Sequence, residues 1–271
     1  MTCSGICYKN NVIVFITVFV TILNLCLLTK CGRVKRVVGA TDVECGTQPR
    51  VVSLRNASSL RHLCGATVLS PHYALTAAHC VPNDEHQYTL QLNNYCGKDD
   101  DRTPIADVKE IIIHPLYDPI TRAHDVAVLR VTLYLDDVTW LNDTLLPTSS
   151  FGVSGECTFY GYGYKVRDTN ETSERLMAGT LRIVSLDVCT EALDPNVAPR
   201  YDHGMMCAIG DGVDACQGDS GGPLICSGGT IEGVSSYGMS CAIPGIPGVY
   251  TSIGAHLPWI TAVIHDQNKE E

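Results

Sequence analysis

The chain has 271 residues, 45% of them hydrophobic, and a formal net charge of -10, enough for one large or two smaller all-β domains with a substantial core. The first 36 residues hold five basic side chains (Lys9, Lys30, Arg33, Lys35, Arg36) and no Asp or Glu, so the remainder carries 14 basic against 29 acidic residues, a charge of -15. An acidic body of this kind excludes a nucleic-acid partner, whose phosphates require a basic surface, and suits a soluble extracellular protein that meets cationic substrates.

Val12 to Leu28 is an apolar run of 17 residues broken only by Thr17, Thr21 and Asn24, with Lys9 ahead of it. It is longer than a usual signal h-region of about 7–15 residues and short for a membrane span of about 20. Were the segment retained, the four basic residues behind it would favour a cytoplasmic C-terminal side, where disulfides do not form. The expectation is therefore secretion, with a signal peptide over 1–31 cleaved after Cys31 and Thr29 at the small-residue position. A signal anchor holding the protein outside the cell stands as the alternative, and membrane association follows only if the segment is uncleaved. Fourteen cysteines without paired CxxC or HExxH spacings point to disulfides; Cys3, Cys7, Cys26 and Cys31 precede Arg36, and ten follow it.

Arg33-Val-Lys-Arg36 abuts the small apolar tetrapeptide Val37-Val-Gly-Ala40. From Val51 the text reads as short strands: Tyr88 to Leu92 alternates with period two, as a half-buried strand does, while Ala66 to Leu69 and Val126 to Val131 are mostly apolar and read as buried on both faces. Lys98-Asp-Asp-Asp101 reads as a solvated turn, and no metal is expected. The alternation pauses at Leu146-Pro147 and restarts with Gly155 to Gly163. Leu257, Ile260 and Ile264 lie at helical spacing, with Pro258 expected in the first turn of a single C-terminal helix. Asn56-Ala-Ser, Asn142-Asp-Thr and Asn170-Glu-Thr are acceptor sequons for N-glycosylation in polar stretches.

Three motifs carry chemistry. Asp214-Ala-Cys-Gln-Gly-Asp-Ser-Gly-Gly-Pro223 sets Ser220 in a glycine-rich turn from which its hydroxyl can attack a carbonyl. A serine hydroxyl is a weak nucleophile near neutral pH, so it needs a base and a group that orients the base. Ala77-Ala-His-Cys80 offers His79, and His124-Asp-Val-Ala-Val-Leu129 offers Asp125 at the head of an apolar run. The backbone N–H groups of Gly218 and Ser220 can form a pocket for the oxyanion of a tetrahedral intermediate. His62, His72, His114 and His124 have no such company and read as surface or packing residues.

GDSGGP, TAAHC and DVAVL in the order His, Asp, Ser resemble the trypsin and chymotrypsin family of serine proteases over Val37 to about His265. The resemblance implies two six-stranded antiparallel β-barrels with a C-terminal helix, the barrels covering about 37–147 and 148–271 behind a short activation propeptide at 32–36. It implies His79, Asp125 and Ser220 as catalytic residues, no cofactor, polypeptide substrates and proteinaceous inhibitors. Asp214, six residues before Ser220, falls at the floor of the primary specificity pocket, with Ala215 beside it and Gly238 and Gly248 at its walls. Ser236 matches the serine that hydrogen-bonds the triad aspartate, and Arg122 would narrow a neighbouring subsite. Cleavage after Arg36, by a convertase-like activating protease or by self-activation, would free an ammonium at Val37 that pairs with Asp219 and sets the oxyanion turn. Tyr162 stands where relatives carry tryptophan. The implied disulfides are Cys64–Cys80, Cys157–Cys226, Cys189–Cys207 and Cys216–Cys241. The familiar partner of Cys45 would fall around Met177 to Gly179, where there is no cysteine, so the remaining Cys45 and Cys96 are expected to pair.

Overall fold

A computed structural model describes residues 40–82, 84–92, 104–135, 141, 145–148, 154–163, 173, 175–239 and 243–267. Arg36, Val37, Cys96, Lys98 to Asp101, Asn142, Asn170, Cys241 and the apolar run at 12–28 lie outside them. No helix among the described residues is long and apolar enough to cross a membrane.

The strands fall into two sets. β1 (Thr41–Asp42) precedes β2 (Val51–Asn56), β3 (His62–Ser70), β4 (Tyr73–Thr76), β5 (Tyr88–Leu92), β6 (Ala106–Ile113) and β7 (Ala127–Leu133). β2 to β7 close into an antiparallel barrel in the order β2-β3-β4-β7-β6-β5, the seam being the β2–β5 pairing from Val52↔Leu92 to Asn56↔Tyr88. The second set is β8 (Glu156–Gly161), β9 (Met177–Val184), β10 (Met205–Ile209), β11 (Pro223–Cys226), β12 (Ile231–Tyr237) and β13 (Gly248–Ser252). These run β9-β10-β13-β12-β11-β8, and β8 pairs back onto β9 from Glu156↔Arg182 to Gly161↔Met177. Closure removes the open edges that would otherwise template aggregation.

Each barrel is filled from within. Leu54, Leu75, Leu90 and Leu129 are fully buried in the first, and Phe159, Leu181, Leu224 and Tyr250 in the second. Burying one such leucine stabilises the fold by about 1.5–3 kcal/mol. Ala66 to Leu69 and Val126 to Leu129 are buried without interruption, as their apolar text requires, but Arg130 turns out to solvent. β5 departs from expectation: its alternation predicts a half-buried strand, yet Thr89 and Gln91 are each only 2% exposed. The Thr89 hydroxyl resolves its burial by donating to the Ala106 carbonyl at 2.7 Å.

The division near residue 147 separates the barrel strands but not their packing. β1 pairs with β9 through Thr41↔Ala178 and Asp42↔Met177, so the segment after Ala40 joins the second sheet. The C-terminal helix, Ile253–Gln267, inserts Ile253 and Ile260 into the cluster that holds the first barrel's core. It begins five residues before Pro258, which therefore sits inside the helix rather than in its first turn. Buried anchors on both sides of the proline hold the helix through the lost backbone hydrogen bond. A second helix, Leu186–Ala192, is not signalled by apolar periodicity. Its start is set by Ser185, whose hydroxyl accepts from Val188 N at 3.3 Å, and by Asp187 in the first turn. Cys64–Cys80, Cys157–Cys226 and Cys189–Cys207 are bonded as the resemblance implies. Cys45 and Cys216 are also disulfide-bonded.

Candidate active site

β4 delivers the chain to a 3-10 turn, Ala78–Cys80, that carries His79, and the Cys64–Cys80 bridge ties this turn to β3. Asp125 stands just before β7 and is fully buried. Its Oδ2 lies 2.6 Å from His79 Nδ1, and its Oδ1 accepts from the His79 backbone N–H at 2.9 Å. The second barrel completes the carboxylate's shell: Ser236 on β12 donates to Asp125 Oδ2 at 2.5 Å, and Thr251 on β13 donates to the Asp125 carbonyl at 2.7 Å. Burial is the largest influence on this carboxyl and lifts it to about 6, while the Ser236 hydroxyl, the Arg122 charge and the Ala78 N–H act in the opposite direction. With Nδ1–H given to the carboxylate, His79 presents Nε2 as a lone pair. Its side chain is 16% exposed, so that face remains reachable.

Ser220 sits on the turn between Cys216 and β11. The turn is pressed against the first barrel: Gly65 N donates to the Ser220 carbonyl at 2.7 Å, and a Cβ on Gly65 would fall 2.7 Å from Gly222 Cα. Gly218 takes a φ of +91°, which favours glycine, and among the described residues neither its N–H nor that of Ser220 has a protein acceptor. Two unsatisfied donors in one turn are what a developing oxyanion requires. No hydrogen bond joins the Ser220 hydroxyl to His79 among the described residues; such nucleophile-to-base contacts are commonly long without substrate and tighten in the complex.

A serine in this turn, a histidine on the facing barrel and a buried aspartate behind it decide the matter together with the comparisons. The family model for Trypsin matches residues 37–260. The chain belongs to the trypsin family. Trypsin II-P29 of Gallus gallus is 29% identical over 232 residues, covering 84% of this chain and 89% of that protein. Transmembrane protease serine 5 of Homo sapiens is 32% identical over 254 residues, covering 88% of this chain and 54% of that protein, so the chain spans about half of that relative's length.

In this trypsin-like serine protease a cavity of about 190 Å³ is lined by Ser220 and Asp214 together with Ala215, Ser236, Tyr237, Gly238 and Gly248. Asp214 is 6% exposed, and a Cβ on Gly248 would sit 3.1 Å from its Oδ1. Tyr250 also lines the cavity; burial, then the charges of Asp214 and Asp219, push its hydroxyl well up. Arg122 lines an adjacent cavity with Ile120, Pro195, Val197 and His203, which shares Tyr237 with the first.

Asp219 is wholly buried under the turn, with Oδ1 accepting from Gly163 N at 2.6 Å and Oδ2 from Cys216 N at 2.7 Å. Burial raises its carboxyl to about 7 against these two hydrogen bonds, and the nearby Asp214 charge adds to the rise. Tyr162 fills the expected aromatic position, fully buried, with its hydroxyl donating to the Val51 carbonyl at 3.2 Å.

The histidines correct the sequence expectation. His72 is an ordinary surface residue, but His62 is buried and connects the first barrel to the turn that carries Gly218 and Ser220. Its Nε2 lies 2.7 Å from the Gly218 carbonyl, which can only accept, so Nε2 carries the proton and Nδ1 accepts from Ser53 Oγ at 2.7 Å. Arg55 Nε in turn donates to Ser53 Oγ at 3.0 Å. Burial, helped by the Arg55 charge, pushes His62 down to about 4 and keeps it in this neutral form. No local pattern around His62 announces a partner 156 residues away. His114, His124 and His256 also come together, one ring nitrogen of each within 4.8 Å of the others.

Proposed function

We propose that the chain is a secreted serine endopeptidase, made as a zymogen, that cleaves after arginine and lysine through an acyl-enzyme. The observation that carries this reading is the buried Asp214 carboxylate in the wall of a cavity that Ser220 also lines. A substrate guanidinium entering that cavity would meet the Asp214 carboxylate in a charge-assisted, bidentate pair. Ala215 offers no hydroxyl to solvate an ammonium, so arginine is preferred over lysine. Arg122 in the adjacent cavity disfavours a basic residue ahead of the cleaved one.

In this mechanism His79 Nε2 takes the Ser220 proton as Oγ bonds to the scissile carbonyl carbon, and Asp125 stabilises the resulting imidazolium. The Gly218 and Ser220 N–H groups hold the oxyanion until the C–N bond breaks and His79 returns the proton to the leaving amine. Water then repeats the sequence on the ester and releases Ser220. The precursor is silent until cleavage after Arg36 frees the Val37 ammonium to pair with Asp219 and align the turn.

Disulfides support an extracellular site of action. The apolar run at 12–28 and the transmembrane relative favour a second reading, a protease tethered outside the cell. Protein released into the medium supports the first; protein retained with membranes after an alkaline wash supports the second. The enzymatic reading is tested with a fluorophosphonate probe on protein whose N-terminus has been sequenced as Val37. Labelling of wild type but not of Ser220→Ala, with arginyl amides cleaved faster than phenylalanyl amides, is expected. Absence of labelling, or a preference for phenylalanine, refutes it.

A further inference from the structure

Arg122 and Arg200 both line the cavity of about 450 Å³ that shares Tyr237 with the Asp214 cavity. They reach it from separate segments: Arg122 lies three residues before Asp125, and Arg200 heads the 3-10 turn Tyr201–His203. His203 also lines it, and among the described residues no carboxylate does. A chain with a net charge of -10 thus places two cations in one recess.

The neighbouring acids are engaged elsewhere. Asp118 accepts from Ile120 N at 2.9 Å and from the Thr121 hydroxyl at 2.8 Å. Asp194 accepts from Asn196 N and Nδ2, each at 2.8 Å, and Asp202 Oδ1 faces His203 Nε2 at 3.9 Å. Among the described residues neither guanidinium forms an ion pair. Arg122 is anchored nonetheless: its backbone N donates to the Asp118 carbonyl at 2.8 Å and its Nη1 to the Tyr117 hydroxyl at 3.3 Å, which leaves the rest of the fork to donate. Its charge acts on Asp125, so it stands close to the triad. The opposite wall is fixed by the Tyr237 hydroxyl, which donates to the Val197 carbonyl at 3.0 Å. Ile120, 90% exposed, and Pro195 offer apolar surface to the methylenes of an incoming side chain.

We infer that Arg122 and Arg200 form a subsite for an acidic side chain, aspartate or glutamate, in the few residues ahead of the cleaved arginine. The inference rests on the reading that Asp214 receives that arginine. A carboxylate entering the recess gains charge-assisted hydrogen bonds from forked donors that no carboxylate of the described residues occupies. The same two charges repel a substrate with basic residues in those positions, and the activation sequence Arg33-Val-Lys-Arg36 is such a substrate. The chain is therefore a poor activator of its own precursor. A separate protease that accepts paired basic residues must make the cut after Arg36.

The test is kcat/KM of the processed enzyme on peptide amides ending in arginine, with aspartate, glutamate, alanine or lysine at each of the three preceding positions. A partly exposed ion pair is worth up to about fivefold, so an acidic residue at one position should be favoured about tenfold over alanine, and lysine disfavoured. The preference should shrink as sodium chloride rises from about 0.05 to about 0.5 M. In Arg122→Gln/Arg200→Gln the ratio of acidic to alanine peptide should fall to about one. Where the double variant does not fold, Arg200→Gln, at an exposed position, should lower the ratio about threefold. The Arg-Val-Lys-Arg amide should be cleaved more slowly than Ala-Val-Ala-Arg amide. Cleavage after arginine with no acidic preference, or with a preference unchanged in the folded variants, overturns the subsite and leaves the Asp214 reading intact. Faster cleavage of phenylalanyl than of arginyl amides overturns that reading, and this inference with it.

Discussion

Cutting the Arg36–Val37 bond should change how stability depends on pH, through one carboxyl group. In the uncut chain, burial raises Asp219 from 3.8 to about 7. Between roughly pH 4 and 7 the folded chain therefore holds a proton that the unfolded chain has released, and stability falls as pH rises. The contribution is complete below about pH 4, is lost through about pH 7, and amounts to about 4 kcal/mol for a shift of about three units. That is a large part of the 5–15 kcal/mol that holds a typical domain together. A Val37 ammonium beside Asp219 favours the ionised carboxylate and should cancel most of this loss. The assay is urea unfolding of the Ser220→Ala chain, uncut and cut after Arg36 by an added protease, from about pH 4 to pH 8. His62, lowered by burial, contributes a slope of opposite sign in both forms and drops out of the difference. Asp219→Asn should flatten the uncut profile in the same window. If cut and uncut chains lose stability in parallel, with Val37 verified as the new terminus, the pairing of Val37 with Asp219 is wrong.

His62→Ala removes the donor to the Gly218 carbonyl. A hydrogen bond is worth about 1–1.5 kcal/mol net, so kcat on a peptide amide should fall about tenfold with little change in KM; a KM effect alone would assign His62 to substrate binding. Asp214→Ser should lose several kcal/mol of transition-state stabilisation toward arginyl amides, read as kcat/KM, and little toward aromatic ones. Equal losses on both would mean that Asp214 supports the fold rather than the substrate. Asn56 ends β2 with its Oδ1 accepting from Ser58 Oγ at 2.7 Å, in an exposed turn. Endoglycosidase should lower the mass of the exported protein, and Asn56→Gln should remove one step of that shift; an unchanged shift excludes glycan at this position.

The residues proposed for the reaction were legible because each lies in a short motif whose chemistry is local: a histidine before a bridged cysteine, an aspartate heading an apolar run, a serine among glycines. The strand text of the two barrels was legible for a similar reason, since alternation and apolar runs are read within a few residues. What was hidden depends on closure. Thr89 and Gln91 look solvent-facing in isolation, yet both are buried in the closed barrel, Thr89 with its hydroxyl on the Ala106 carbonyl of β6. Thr41 and Asp42 join a sheet more than 130 residues downstream, through Ala178 and Met177. Ser53, His62 and Gly218 form a chain across two barrels, and a single histidine in a strand carries no trace of it. Pro258 reads as a helix start because the rule for proline is local, whereas Ile253 and Ile260 hold the helix through tertiary contact.

Asp125 belongs to the first barrel by sequence, yet Ser236 and Thr251 of the second barrel fix its carboxylate and its carbonyl. A molecule whose barrels have parted thus separates Ser220 from His79 and strips Asp125 of these two bonds at the same moment that its strands become cleavable. It can be digested but cannot digest. Self-destruction in a concentrated solution then needs an encounter between one intact molecule and one opened molecule. Its rate should rise with the square of protein concentration and with the opened fraction, while dilute enzyme outlasts concentrated enzyme at the same temperature.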